Sequence, residues 1–311
     1  MKKTGVFLLC VLVLTAALMM IPLQGTADAD TTFWNGGDGD WADVNNWSNG
    51  LPDWTHDAAL HTYGTVSLTN NYGTVLRELS IGDGSGDMRL IHSSGILTLG
   101  EGSYLYINSE TVGLIASYTL SGSGVLTKKS MEVKIGANGT GYFYQDGGTF
   151  NFNGALYLGD QAGSYGVYTM TGGEITGYYG TLQEELDDAD PTNDVDHQHY
   201  GGIVLGEWGG KGEFDQSGSA VITINDLNLG RQENSEGYYR LKDDASLTVF
   251  GAAKIGDKGT GTFNQLGGTF SAGEIQVGVT GPGEYNLEEG TLSSGLLVIG
   301  GKDGENNPGT G

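Results

Sequence analysis

A short signature recurs along the chain and constrains its fold more than any other feature. Each copy holds an apolar residue, a variable residue, a second apolar residue and a glycine. The copies occupy residues 133–136, 156–159, 203–206, 227–230, 253–256, 275–278 and 297–300. Their glycines lie 22 to 26 residues apart, except for one doubled gap of 47. The alternation predicts a half-buried strand in each copy, and the spacing predicts one repeat unit of about 22–26 residues.

A second strand is predicted after each glycine, because an aromatic residue and a further residue two positions on share one side of the chain. These pairs are Tyr118/Leu120, Phe143/Gln145, Tyr168/Met170, Phe214/Gln216, Tyr239/Leu241, Phe263/Gln265 and Tyr285/Leu287. Phe precedes Gln and Tyr precedes Leu or Met in alternate units. A third apolar position closes the units, at Phe150, Ile175, Ile222, Leu247, Phe270 and Leu292.

Three short strands per unit, joined by glycine corners, predict an all-β fold, a parallel β-helix (β-solenoid) of about 22–26 residue coils. A β-sandwich or a β-propeller is the alternative, although propeller blades need four strands and a period near about 40 residues. The buried Gln positions require satisfied amides. We therefore expect Gln145, Gln216 and Gln265 either to bond to backbone groups at the corners or to face solvent.

The sequence of the N-terminal residues predicts that the protein is exported from the cytoplasm. Met1-Lys2-Lys3 precedes an apolar run, and Ala27-Asp28-Ala29 offers a small-x-small cleavage site, so residues 1–29 are predicted to be a signal peptide. An uncleaved membrane anchor is the alternative. The one cysteine, Cys10, lies in that run, so the mature chain would have no thiol and, we expect, no membrane span.

The charge balance disfavours one class of partner. The chain holds 38 Asp and Glu against 14 Lys and Arg, for a net charge of −24. A polyanion would be repelled, so we expect no nucleic-acid partner. Extracellular polysaccharide or cell-surface components are the partners that we expect.

Residues 30–66 differ in composition and hold four of the five tryptophans, namely Trp34, Trp41, Trp47 and Trp54. A Trp-rich N-terminal cap that covers the apolar end of a solenoid is one interpretation. The other is a carbohydrate platform, because exposed indole faces can stack on sugar rings.

The same segment carries a resemblance. The pattern W-x-G-G-x-G-x-W-x-x-x-x-N-W-x-x-G-x-P runs from Trp34 to Pro52, and the repeats follow it. Together they resemble the bacterial autotransporter-associated β-strand repeat proteins and related exported proteins, some of which carry a PEP-CTERM sorting signal. The resemblance implies an exported β-helix on or released from the cell surface, and the family has no assigned catalytic residues.

The doubled gap contains an insertion, 181–202. It holds the densest set of possible metal ligands in the chain: Asp187, Asp188, Asp190, Asp194, Asp196, His197 and His199. Carboxylate oxygens suit calcium, whereas the histidine pair suits a transition metal. A solvated acidic loop is the alternative. Calcium is thus the one cofactor that we consider.

A polysaccharide hydrolase would need two carboxylates on one groove, which Asp243-Asp244 or Asp187-Asp188 could supply. Asp243-Asp244 replaces the Gly-Gly of other units, so a turn explains it without catalysis. We therefore expect no catalytic residues, and a non-catalytic secreted or cell-surface stalk, matrix component or adhesin. A carbohydrate-binding or polysaccharide-degrading β-helix is the alternative.

The last residues, Gly309-Thr310-Gly311, repeat the corner that precedes aromatic strands at Gly139 and Gly259. The solenoid is assigned to 67–311, and the alternation predicts a Phe/Gln unit next. We therefore expect the native gene to continue beyond Gly311.

Overall fold

The structure is a computed structural model that describes residues 30–82, 84–111, 113–129, 131–177 and 201–300. Within these residues, the first strands are β1 (Asp30–Phe33), β2 (Gly39–Asp40), β3 (His56–Leu60), β4 (Gly64–Leu68), β5 (Val75–Ile81), β6 (Met88–His92), β7 (Ile96–Ile107), β8 (Ala116–Leu120), β9 (Val125–Lys128) and β10 (Val133–Ile135). The later strands are β11 (Thr140–Phe152), β12 (Ala155–Leu158), β13 (Tyr165–Gly177), β14 (Gly202–Leu205), β15 (Lys211–Gln216), β16 (Val221–Ile224), β17 (Leu227–Leu229), β18 (Glu236–Leu241), β19 (Ser246–Ile255), β20 (Thr260–Val277) and β21 (Gly283–Ile299). A 3-10 turn, Val44–Asn46, lies between β2 and β3.

The strands wind into a parallel β-solenoid of about 10 turns, which confirms the predicted fold class. Each strand pairs in parallel with the equivalent strand one coil away, as β10 does with β7 and β12. Sandwiches and propellers are built from antiparallel strands, so this pairing excludes both alternatives.

Three faces make up each coil. The aromatic face consists of β4, β6, β8, β15, β18 and the first parts of β11, β13, β20 and β21. The hydroxyl face consists of β9, β16 and the adjoining parts of β7, β11, β13, β19, β20 and β21. The signature face, which carries the apolar-x-apolar-Gly copies, consists of β3, β10, β12, β14, β17 and the last parts of β5, β7, β19, β20 and β21.

The core lies inside the three faces and is one continuous hydrophobic cluster. Rings of the aromatic face stack one above another with centroids 4.5–5.3 Å apart, from Tyr118 through Phe143, Tyr168, Phe214, Tyr239 and Phe263 to Tyr285. No coil could bury these side chains alone, so the stability of each coil depends on its neighbours.

The alternation of Gln with Leu or Met has a hydrogen-bonding cause. The Tyr168 hydroxyl of one coil donates to Gln145 Oε1 of the coil before it, at 2.6 Å. Gln145 Nε2 donates to the carbonyl oxygens of Gly148 and Glu174, at 3.3 and 3.1 Å. Gln216 with Tyr239, and Gln265 with Tyr285, repeat the arrangement. All three Gln are buried and bond to the corner backbone, so the first of the two expectations is confirmed.

His92 is a fourth member of this series that the sequence analysis did not identify. It is fully buried below Leu120 and lies one coil before Tyr118. Its Nε2 is 3.0 Å from the Gly95 carbonyl oxygen, which can only accept, so Nε2 carries the proton. Nδ1 therefore accepts from the Tyr118 hydroxyl at 2.8 Å. Burial lowers the pKa of His92, so the imidazole is neutral.

The corner glycines allow backbone conformations and close contacts between coils that a side chain would prevent. Gly230 has φ of 64°, and a Cβ there would collide with the Thr260 carbonyl oxygen of the next coil. In the Gly-Thr-Gly corner at 139–141, close approach alone excludes a side chain, since a Cβ at Gly141 would collide with the carbonyl oxygen of Ile107. Glycine at these corners permits the tight stacking of coils.

The two ends of the described solenoid differ. At the N-terminal end, β1 pairs with β3 and β2 with β4, so the Trp-rich segment contributes strands to the same sheet. In β21, the last described strand, Leu287, Leu297 and Ile299 are 48%, 50% and 65% exposed. Residues 301–311 and the predicted signal peptide lie outside the described residues, and the further Phe/Gln coil stays a prediction.

Candidate functional site

Three of the four cap tryptophans are core residues. Trp34, Trp41 and Trp47 are at most 4% exposed, and the ring of Trp47 contacts both others edge-on, with centroids 5.2 and 4.9 Å apart. The Trp47 indole donates to the Trp41 carbonyl oxygen at 2.9 Å. Their faces are not available to a sugar in this conformation. Trp54 is 70% exposed and is the one member of the proposed platform that could stack on a ligand.

The predicted metal ligands of the insertion, Asp187, Asp188, Asp190, Asp194, Asp196, His197 and His199, lie outside the described residues. Calcium or transition-metal binding there stays a prediction. Across the described ranges, no group of three or more His, Cys, Asp or Glu side chains is arranged to hold a metal ion. The same ranges contain no helix long and apolar enough to cross a membrane.

Of the two carboxylate pairs considered for hydrolysis, only Asp243-Asp244 is described. Asp243 has φ of 58°, a left-handed conformation that Asp tolerates better than most residues. Its Oδ2 accepts from the backbone N–H of Gly218 in the preceding coil, at 3.0 Å. This carboxylate therefore closes a turn, as the replacement of Gly-Gly suggested.

The outer surfaces of two faces contrast in charge. On the aromatic face, charged side chains form ion pairs: Arg240 makes two hydrogen bonds to Asp215, and Lys211 contacts Glu213 at 3.0 Å. The hydroxyl face instead presents a row of uncharged polar side chains in register over eight coils: Thr98, Thr127, Asn151, Thr176, Thr223, Thr248, Ser271 and Ser293.

The signature face carries a polar cleft of about 410 Å³. Its floor is formed by residues at the position of the variable signature residue in successive coils, because these residues point away from the core. Ser80, Tyr106 and Lys134 lie in register there. The rim is formed by the turns that follow the strands, with His61, Asn108, Asn138, Asp160 and Gln161. The cleft therefore crosses several coils and runs along the solenoid axis.

The polar groups of the cleft are held by one another. His61 Nε2 lies 2.8 Å from Ser80 Oγ. Asn108 Oδ1 accepts from the backbone N–H groups of Asn138 and Gly139, at 3.1 and 2.7 Å. These bonds fix the side chain of Asn108 and the turn that carries Asn138. The cleft is thus organised before any ligand arrives.

An aromatic wall stands beside these groups. The rings of Tyr104 and Tyr106, two residues apart on β7, stack with centroids 5.5 Å apart and planes 11° apart. Tyr106 is half-buried, and burial raises the pKa of its hydroxyl. The hydroxyl therefore stays protonated at neutral pH and can both donate and accept a hydrogen bond.

Lys134 is the only Lys or Arg among the described residues that line the cleft, and it is paired with carboxylates there. Lys134 Nζ lies 2.9 Å from Glu132 Oε2 and 2.9 Å from Asp160 Oδ2. Burial by itself lowers the pKa of Lys134, but these two hydrogen-bonded carboxylates reverse the effect and raise it above its ordinary value. Glu78 also lines the cleft, and burial, reinforced by the nearby Asp57 charge, raises its pKa. The two carboxylates offset the attraction of this ammonium group for an anionic ligand.

This cleft is not predicted from the sequence. The middle residue of each signature copy indicates only the exposed side of a strand, and Ser80, Tyr106 and Asn108 lie in coils before the first copy, at 133–136. A signal was nonetheless present, because polar residues in equivalent positions of stacked coils must line up along the axis.

No protein-family model, curated protein or solved structure matches this chain. The fold and the cleft therefore carry the functional argument.

Proposed function

We propose that this chain is a non-catalytic secreted or cell-surface β-solenoid that acts as a structural stalk, matrix component or adhesin. The observation that carries the proposal is the single parallel sheet, with one continuous core, that runs through the described coils. About 10 turns at a strand spacing of about 4.8 Å give a rod of roughly 50 Å.

Such a rod suits a mechanical or display role. Its backbone hydrogen bonds run parallel to the axis, and each coil is held by the coils on either side. The predicted signal peptide would take the rod out of the cytoplasm, where its acidic surface, with a net charge of −24 for the chain, would keep it hydrated.

Expression of the full chain in a bacterial host tests this function. We expect the protein in the extracellular or surface fraction with an N-terminus near Asp30, and no reducing ends released from neutral or acidic polysaccharides. Retention in the cytoplasm would contradict the surface role. Turnover of any polysaccharide would contradict the non-catalytic role.

Carbohydrate binding or degradation is the second candidate function, and the cleft on the signature face favours its binding form. Pockets of about 300–1,000 Å³ with a few convergent polar groups are typical of small-molecule sites. The same reducing-sugar assay separates binding from degradation.

Calcium binding by the insertion is a further part of the proposal. We expect millimolar calcium to raise the melting temperature of the full chain, and no such rise after Asp187, Asp188 and Asp190 are replaced by Asn. An identical melting temperature with and without calcium would leave the solvated acidic loop as the interpretation.

A further inference from the structure

We infer that the cleft of the signature face binds a neutral, linear oligosaccharide that lies along the solenoid axis. The inference rests on the carbohydrate-binding candidate function and names its ligand class and orientation.

The shape of the cleft favours a linear ligand. Floor residues Ser80, Tyr106 and Lys134 come from three successive coils, and each step along the axis is about 4.8 Å. The rim adds polar turn residues at both ends, from His61 to Gln161. A ligand of one ring would touch only part of this groove, whereas a chain of several rings parallel to the axis would meet an equivalent group at each coil.

The chemistry of the cleft favours a sugar. A pyranose presents hydroxyls around its rim and C–H groups on its faces. The ring of Tyr106, which lines the cleft, offers an apolar surface for the C–H groups. The amides of Asn138 and Gln161, both on exposed turns, supply donors and acceptors together for the hydroxyls.

The electrostatics favour a neutral sugar over an acidic one. The two carboxylates at 2.9 Å from Lys134 already satisfy the charge of that ammonium group. A uronate would meet Asp160 and Glu78 in the same groove and would approach a chain of net charge −24. A neutral chain avoids both penalties.

The pre-formed hydrogen bonds favour affinity. Because Asn108 holds the backbone of the turn at Asn138, and Ser80 holds the imidazole of His61, this turn and this imidazole lose little freedom on binding.

Calorimetric titration of the full mature chain with cellohexaose, xylohexaose, mannohexaose and hexagalacturonate tests the inference. We expect at least one neutral hexasaccharide to bind and hexagalacturonate to bind at least tenfold more weakly. Affinity should rise from the disaccharide to the hexasaccharide of the same series. Equal affinity for the disaccharide and the hexasaccharide would overturn the axial orientation, and tighter binding of hexagalacturonate would overturn the neutral class.

Two variants and a matched control locate the site. Tyr106→Ala should weaken binding by about tenfold, which corresponds to about 1.4 kcal/mol. Asn138→Ala, on an exposed turn, should weaken binding without a change in melting temperature. Tyr142→Ala is the control, because Tyr142 and Tyr144 form a similar parallel pair on the aromatic face, with centroids 6.2 Å apart.

Equal losses in Tyr106→Ala and Tyr142→Ala would overturn the assignment to the cleft. The absence of binding to every neutral hexasaccharide would overturn the inference while a surface-located, non-catalytic rod remained intact. Release of reducing ends would instead contradict the non-catalytic function.

Discussion

The inner sides of the aromatic face and the signature face are equally buried but differ in chemistry. The signature face is aliphatic inside, with Leu105, Val133, Leu156, Ile203 and Leu227 in successive coils. The aromatic face places an amide or an imidazole in every second coil. A polar side chain is therefore stable in the solenoid core where the next coil supplies a hydrogen-bond partner in a fixed position. Because the polar residue and its tyrosine lie in neighbouring coils, the sequence pattern repeats over two coils.

Lys128 is the informative exception. It occupies an inner position of the hydroxyl face between Leu99 and Phe152 and is 1% exposed. Among the described residues its Nζ has no hydrogen-bond partner. Burial lowers the pKa of Lys128 to about 8. Four substitutions test whether the stability of the solenoid depends on a hydrogen-bond partner for each buried polar side chain, rather than on the polarity of that side chain alone.

The largest effect is expected on the aliphatic side. Leu205→Ala removes a fully buried side chain from the signature face and should lower the free energy of unfolding by about 2–5 kcal/mol. Urea denaturation measures the loss. Lys254→Ala, which points outward from the same face, is the matched control and should change stability by less than about 0.5 kcal/mol. A loss below that of the control would show that the coils do not pack as described.

A gain in stability is expected from Lys128→Met, which removes a buried ammonium group that has no hydrogen-bond partner within the described ranges. At pH 7 the gain should be about 3 kcal/mol, because the native pKa lies near 8, the ordinary value is 10.5, and each unit of difference is worth about 1.4 kcal/mol. Between these values the unfolded chain binds the extra proton, so wild-type stability rises with pH and the advantage of the variant shrinks. Melting curves from pH 7 to 10 measure it. An advantage that is constant across this range would argue against a charged, unpartnered lysine.

A smaller loss is expected from Tyr239→Phe, which leaves Gln216 Oε1 buried without its donor. The cost should be about 1–2 kcal/mol. In the double variant Tyr239→Phe, Gln216→Leu, the amide that lacks its hydrogen-bond donor is no longer present. The stability losses of the two single variants should therefore not add. A double-mutant cycle by urea denaturation gives the coupling energy. Additive losses would mean that the hydroxyl and the amide do not act as a pair.

The smallest effect is expected from His92→Gln, which replaces an imidazole with the side chain used in the equivalent coils. Stability at pH 7.5 should change little. Burial lowers the pKa of His92 in the native state below its ordinary value of 6.5, so the unfolded chain binds a proton more readily as the pH falls below 6.5. The wild type should therefore lose stability in this range, whereas the variant, which lacks the imidazole, should not show this loss. Melting temperatures between pH 7.5 and 5 test this. Parallel pH profiles for the two proteins would contradict a neutral, buried His92.

The cap and the cleft show how far the sequence could be interpreted. The interpretation of the cap as a cover for the apolar end agrees with the burial of Trp34, Trp41 and Trp47. The spacing of the tryptophans, however, could not show that Trp54 is exposed while the other three are buried. Likewise, the pattern that marked Lys134 as outward could not show that it lies beside Asp160 of the next coil. Exposure and proximity depend on how coils stack.

What the sequence determined by itself was the coil. The period of the glycines, the apolar alternation and the Phe/Gln–Tyr/Leu pattern are local and repeated, so each unit carries the same information several times. What only the tertiary structure decided was how the coils contact one another. It decided the Tyr–Gln and Tyr–His hydrogen bonds, the burial of Lys128 and the cleft that crosses several coils. The physical reason is that these contacts join residues 20 or more positions apart, whose register is fixed by backbone hydrogen bonds between coils rather than by any local pattern.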